Sequence, residues 1–497
     1  MKLYPTTKHK FYRSRKPKAI IILAAGLMLT GACKKFLEQQ PDSTWTSMDT
    51  PAKVAKLLGT SYPQSSYIVM CEAKSDNVED KAVGQSERPN SDSYLFRDVE
   101  SIEEDSPEAY WAAAYAAIAA ANQALKACAE APDTAAYTAQ KGEALVARAY
   151  AHFMLVNLFS PIYSEATAGS SMGIPYVTEP ETVVNKIYQR KTVAYVYEMI
   201  EKDLLAGLPL LKDDSYTVSR YHFNRVAANA FASRFYLFKK DYQKVGYYAN
   251  QAFPADQLGL HMRLWNTRYN TMSPAQIWDL YSNAAEDANL LIVETKSLMG
   301  RYMGRYRYDL SFAKEMEIIG DNVTGGKFAY PVYYYGNQDY FVPKATEYFV
   351  KNSVNATIGQ PYTMNVLFTT EEVLFNRAEA NAWLGNYDAV LKDLNLFASK
   401  RITNYNSTTH AITLAKIQNY YRITDVRQAY LKTILDFKRA EYIQEGMRWF
   451  DLLRYDATIT HNTFDGKVLQ LKPGDDMRVF QLPQTAVNSG LELNPRK

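Results

Sequence analysis

The chain has 497 residues, 47% of them hydrophobic and 22% charged, a balance that excludes a largely disordered chain and allows a sizeable core. Its formal charge of +3 is misleading, because Lys2, Lys8, Lys10, Arg13, Arg15, Lys16 and Lys18 all precede residue 19. Without those seven the charge is −4, so the basic total supports no nucleic-acid partner.

The basic N-terminus contains no acidic residue and runs into "AIIILAAGLML", residues 19–29. That run is too short to remain as a spanning helix and suits the core of a signal peptide. The small residues of "LTGAC" end at Cys33, the pattern of a bacterial lipoprotein cleavage site, with Thr30 where leucine is usual. The sequence therefore predicts a leader at 1–32, lipid attachment at Cys33, and a polar, proline-interrupted tether at 33–50 that carries Phe36 and Trp45. Residues 51–497 are expected to form one domain. Of its cysteines only Cys71 and Cys128 lie there, without metal-type spacing, and their pairing stays open.

Residues 67–94, "YIVMCEAKSDNVEDKAVGQSERPNSDSY", read as a loop. Loops on a rigid scaffold are the usual place for recognition, and Tyr67, Asp76 and Asn77 are its candidate ligand contacts. Helical signals follow. "SPEAYWAAAYAAIAAANQALKACAEA" opens at Ser106 with a capping serine and a first-turn proline. "TAQKGEALVARAYAHFMLVNLF" comes after a short polar turn and stops at Ser160-Pro161, which predicts an antiparallel helical hairpin. The G-x-S-x-G match "GSSMG" around Ser171 has a polar run before it and Pro175 after it, so a loop is expected and not a nucleophile elbow.

The hairpin recurs from Arg225, with a turn at 239–241, and again from Glu372. "FKKDYQKV" and "WLGNYDAV" both place a tyrosine just after the turn and a valine three residues later. Alanine-rich helix, turn, tyrosine and helix is a tetratricopeptide-like signature, in which small residues let paired helices approach closely. The expected class is mostly α: a helical-repeat scaffold with long irregular insertions and few short strands.

The largest insertion, 265–360, is rich in tyrosine, glycine and asparagine, and Pro331 and Gly336 argue for irregular or short-strand structure. Tyrosine and tryptophan faces stack on pyranose rings, while neighbouring polar groups bond hydroxyls. Trp265, Trp278, Arg301, Tyr302, Arg305 and Tyr306 are the candidate contacts here, beside Asn266 and Asp279.

"EYIQEGMRWFDLLRY", 441–455, concentrates charge. On one helix Lys438–Glu441, Glu445–Arg448, Arg448–Asp451 and Asp451–Arg454 would be i,i+3 neighbours. Each acid would then have a base, which argues for a brace and against catalysis. Glu441, Glu445, Gly446, Arg448, Trp449, Asp451 and Arg454 are assigned to it. Gly446 costs a helix about 1 kcal/mol relative to alanine, which predicts another element packed closely there. The sequence holds no HExxH, P-loop or strand-linked GxGxxG, and the acidic pairs Asp213-Asp214 and Asp475-Asp476 read as solvated turns, with calcium binding the alternative. Neither a catalytic residue nor a metal or cofactor is expected.

"CKKFLEQQP", "GEALVARAYAHFMLVNLF", "GIPYVTEP", "RAEANAWLG", "KRAEYIQEGMRWFDLLRY" and "FQLPQTAVNSGLELNPR", in this order, resemble the SusD/RagB family of Bacteroidetes. The resemblance implies a surface-exposed outer-membrane lipoprotein on a tetratricopeptide-based scaffold, not an enzyme. It would sit over a SusC-like TonB-dependent transporter and bind a glycan before import. Capture of peptides or another nutrient by the same arrangement is the alternative, and a surface hydrolase is the reading from a different class. The resemblance puts ligand sites in the insertions near 67–94 and 265–360.

Overall fold

Alanine-rich helices with side-chain caps carry the architecture. The computed structural model describes residues 48–496 save 182–186, 255–256, 337 and 355. The expected leader at 1–32, the lipid site Cys33 and the tether as far as residue 47 lie outside the described residues. Residues Asp49–Lys497 form one unit.

The first helix, α1 (Pro51–Leu58), is capped by Thr50 and followed by α2 (Ile68–Lys74) and α3 (Arg88–Tyr94). The last two fall in the stretch read above as loop. Every residue of α2 is buried, so it shows no polar face and no helical period in its sequence. Next come α4 (Pro107–Glu130), where Ser106 accepts from the Ala109 N–H, and α5 (Thr138–Phe159). From Gly142 to Phe159 α5 is buried along its whole length and forms the spine of the scaffold. Its neighbour α6 (Val193–Gly207) approaches so closely that a Cβ on Gly207 would lie 2.7 Å from the Gly142 carbonyl oxygen. Two glycines facing each other set that distance.

The second hairpin is α7 (Arg225–Lys239) and α8 (Tyr242–Ala252), joined through Lys240 in the left-handed region at φ 61°. A three-stranded antiparallel sheet follows, built from β1 (Asn289–Lys296), β2 (Glu347–Lys351) and β3 (Gly359–Thr369), with β3 in the middle. Strand β3 runs straight into α9 (Thr370–Leu384), whose cap is the last strand residue, Thr369. The turn from α9 to α10 (Tyr387–Arg401) passes through Gly385 at φ 80°. The two post-turn tyrosines are packing residues: Tyr242 stacks on Trp383 at 5.2 Å, and Tyr387 on Tyr430 at 5.2 Å.

The charged C-terminal stretch is two helices, α11 (Val426–Glu441) and α12 (Met447–Arg454), and not one. Between them Gln444 and Gly446 both take positive φ, 62° and 72°. A Cβ on Gly446 would sit 3.1 Å from the Ile68 Cα, so the close neighbour that the glycine accommodates is α2. Cys71 and Cys128 are buried and free. Among the described residues no helix is long and apolar enough to cross a membrane.

Candidate functional site

Of the i,i+3 pairs expected at 438–454 only Asp451–Arg454 forms, at 2.9 Å; the break at 442–446 removes the helical spacing of Glu445 and Arg448 alone. Longer-range partners replace the others. Arg401 holds Glu441 through two bonds of 2.7 and 2.9 Å, Glu371 through one of 2.8 Å, and Glu371 in turn accepts from Arg263. Lys344 reaches across the turn to the Ile443 carbonyl and to Glu445 at 2.6 Å, where the Tyr281 hydroxyl also donates. Lys438 pairs with Asp451 at 2.8 Å, and Arg454 also pairs with Glu379. Burial alone would raise the Glu441 carboxyl, yet the Arg401 charge and its hydrogen bonds hold it at about 2. Trp449 is wholly buried beneath Lys74, whose ammonium lies 5.5 Å from its ring centre. Each acid of the stretch is thus engaged by a fixed cation.

The same network fixes residues 67–94. Arg448 donates to both oxygens of Asp76 at 2.8 Å, and Arg439 donates to Asn77 at 2.8 Å. Asn77 is buried and also bonds Glu72, which accepts the Gln444 and Gly446 N–H groups. Tyr67 is buried edge-on against Tyr110 and Phe450. Trp265 is 0% exposed among Tyr269, Tyr281 and Tyr330. Tyr306 is buried against Tyr302, and burial raises its phenol far above the usual range. Four expected ligand contacts, Tyr67, Asn77, Trp265 and Tyr306, are therefore interior residues: aromatic and amide chemistry serves a core as readily as a sugar. Asp76 is partly open but spends both oxygens on Arg448. Trp278 is half-buried, parallel to Phe341. Arg301 is exposed and bound to Glu347 by two bonds of 2.6 and 2.8 Å.

The two insertions do meet. Glu79 and Asp80 pair antiparallel with Asp309 and Tyr308, and the ledge continues where the Gln85 N–H donates to the Arg305 carbonyl and the Arg307 N–H to the Gln85 carbonyl. Lys81 is buried and staples this ledge to the hairpin Tyr333–Tyr335/Asp339–Phe341. Its ammonium donates to the carbonyls of Gly304 at 2.6 Å and Gln338 at 3.1 Å, and to Asp339 at 3.1 Å.

On the outer side of the staple Arg305 is exposed, makes no ion pair among the described residues, and lies 4.5 Å over the Tyr335 ring. Tyr335 is 42% exposed and Tyr334 67%. Tyr334 packs on Tyr340, and Tyr340 on Phe312 at 5.9 Å. Phe312 opens the short helix Phe312–Ile319, whose exposed Met316, one turn on, lines a groove of about 1030 Å³. That groove continues over Asn322, Thr324, Lys327, Asn419, Tyr420 and Arg422. Tyr334, Tyr340 and Phe312 line the hairpin face that leads to this groove, while Tyr335 stands on the other face with Phe341 and Arg305. Exposed rings beside the exposed Lys327, Asn419 and Arg422 suit a polyhydroxylated ligand with apolar faces. "PVYYYGNQDYFVP" was the signal: turn residues amid tyrosines mark a hairpin that must expose one face. The share of the groove at 414–422 left no such sign. Ser171 lies in a turn, its carbonyl accepting the Val193 N–H. Among the described residues no three His, Cys, Asp or Glu side chains group to hold a metal ion.

A SusD-like family described as "Starch-binding associating with outer membrane" matches residues 35–237, and the SusD family matches residues 302–485. No curated protein matches the sequence. Solved structures share the fold. A protein of Bacteroides vulgatus ATCC 8482, provisionally described as sugar binding, superposes with TM-score 0.68 at 21% identity, over 90% of this chain and 99% of that one. A SusD superfamily protein of Bacteroides thetaiotaomicron VPI-5482 gives 0.66 at 19%, over 90% and 100%. A SusD-like carbohydrate binding protein of Bacteroides vulgatus ATCC 8482 gives 0.63 at 16%, over 88% and 96%.

Proposed function

The chain belongs to the SusD family, and from that premise we propose that it captures an oligo- or polysaccharide at the cell surface and delivers it to a SusC-like TonB-dependent transporter. Residues 1–32 serve as a leader, and lipid on Cys33 anchors the protein to the outer membrane. Residues 33–50 act as the tether, and 51–497 as the binding domain. The exposed Tyr334 and Phe312 and the groove they adjoin carry the glycan reading, because they combine ring faces with the exposed polar side chains of Lys327, Asn419 and Arg422. Arg305, held over Tyr335, and Tyr302 complete the ledge side. The protein works by binding and not by turnover: the acids that could have served as a catalytic pair, Glu441, Glu445 and Asp451, are each committed to cations.

Affinity gels with soluble polysaccharides test this. The intact domain is expected to be retarded by at least one glycan, and Tyr334→Ala with Tyr420→Ala to lose that retardation while melting normally. Binding of peptides with no glycan bound would overturn the sugar and leave the nutrient-capture arrangement. Turnover abolished by changing Glu445 or Asp451 would overturn the non-enzymatic reading.

A further inference from the structure

His461 stands on the short strand Ile459–Asn462 and is 2% exposed. Its Nδ1 lies 2.7 Å from the Tyr94 carbonyl oxygen, and its Nε2 lies 2.7 Å from the Ser75 carbonyl oxygen. The ring stacks with Tyr94 at 4.1 Å and with Phe96 at 4.5 Å. A neutral imidazole carries one N–H and one lone pair, so it can donate to only one of those carbonyls. The other contact would then set lone pair against lone pair. Only the imidazolium donates to both at once, and its charge also suits the flanking ring faces.

What the contacts hold is the ledge of the candidate site. Ser75 closes α2 and Tyr94 closes α3, so the two bonds pin both ends of the segment that carries Glu79, Asp80 and Lys81. Tyr94 also stacks on Tyr308 at 4.2 Å, its hydroxyl accepts from the Asp80 N–H, and it donates to the Asn462 carbonyl. Charged groups face His461 from two sides: Asp76, beside Ser75 and paired with Arg448, and Lys314, from the helix Phe312–Ile319. Burial is the largest influence and holds the imidazole below its usual range; the two carbonyls and Asp76 work against burial, and Lys314 works with it.

We propose that His461 is a proton-dependent clamp on the ledge: the imidazolium closes both contacts, and loss of the proton releases one of them. With the ring buried in both forms, the second carbonyl contact raises the affinity of His461 for its proton in the closed form relative to the open one, so by linkage acid closes the clamp and alkali opens it. The inference rests on the geometry at His461 alone and stands whatever ligand the ledge takes.

Two readouts on the intact domain test it without a ligand. Hydrogen exchange, corrected for intrinsic rates, is expected to show protection at 75–96 falling by about fivefold from about pH 5 to about pH 8 in the native protein, as a local opening would give. In ring-labelled histidine spectra, both His461 nitrogens are expected to carry protons at about pH 5 and one to lose its proton as pH rises. His461→Phe keeps the stack and removes both donors, and should leave protection at 75–96 low and flat with pH. Protection that is flat in the native protein, a pH response unchanged in His461→Phe, or a neutral His461 ring at about pH 5 would each overturn the clamp. Should His461→Phe fail to fold, the native titration and the ring spectra still decide.

Discussion

Arg448 grips Asp76 through two hydrogen bonds of 2.8 Å each, although the residues stand 372 positions apart in the chain. The pair joins the C-terminal helix α12 to the end of α2, and so ties the most recognisable stretch of the sequence to the segment that bears the ledge. Burial would raise the Asp76 carboxyl, but Arg448, then Arg439 and Lys314, hold it well below the carboxylate range. Its folded value lies below its unfolded one. The stability it contributes is therefore present above the unfolded value of about 3.9 and is lost as pH falls toward the folded one. Asp76→Asn should cost about 1–2 kcal/mol at neutral pH, the pair being only partly buried, and should remove that share of acid sensitivity. Urea midpoints between about pH 3 and pH 7 read both.

Breaking the inner network should be costlier. Glu441 and Arg401 are both fully buried, so Glu441→Ala leaves Arg401 with one carboxylate fewer in a dry site. A loss of about 3–5 kcal/mol is expected from removing one partner of a buried pair. Denaturant unfolding checks it, and an unchanged midpoint would show that Glu441 is no brace.

Asp105 runs the other way. Burial pushes its carboxyl up to about 7, although Ser297 and the Leu298 N–H both donate to it. A raised folded value means that the native state holds the proton more tightly, so this contribution is complete below the unfolded value of about 3.9 and declines up to about pH 7. Asp105→Asn should flatten that decline in melting temperature over the same window.

The aromatics should separate into two groups. Trp265→Ala opens a cavity in the core and should cost about 3–5 kcal/mol. Tyr334→Ala, on the exposed groove-side face, should change stability by about 0.5 kcal/mol or less while weakening glycan retention by about 3- to 10-fold, the worth of one ring contact. Calorimetry together with affinity gels distinguishes them.

Gly446→Ala should fail for two reasons at once. The residue sits at φ 72°, and a Cβ would press on the Ile68 backbone at 3.1 Å. About 1–3 kcal/mol of strain is expected, read as a lowered melting temperature that Gly385→Ala, with open space around it, should match only in part.

The scaffold was legible because its signals are local. Ser106 before Pro107, the small residues of α5 and the tyrosines after the two turns each declare themselves within a few positions. The brace was half legible. Its acids are matched by bases, but the matching bases (Arg401 for Glu441, Lys344 for Glu445) come from elements that only the tertiary fold brings near. Gly446 promised a close neighbour without revealing that one helix has already ended at Glu441 and that the glycine starts another. The binding surface was least legible. Trp265 and Tyr335 look alike in sequence, since burial is decided by what packs against a ring and not by the ring.

The bonds from Arg448 to Asp76, from the Gly446 N–H to Glu72 and from His461 to Ser75 and Tyr94 also order events in time. Each joins an early segment to one near the chain's end, so the loop-closure entropy between them must be met before any of these contacts repays it. During synthesis the hairpin of α4 and α5 can assemble from its own local contacts. The ledge must wait for α12 and the strand at 459–462. A chain stalled before those elements could form that hairpin while the ledge stayed unformed, which makes completion of the chain a condition for ordering the candidate site.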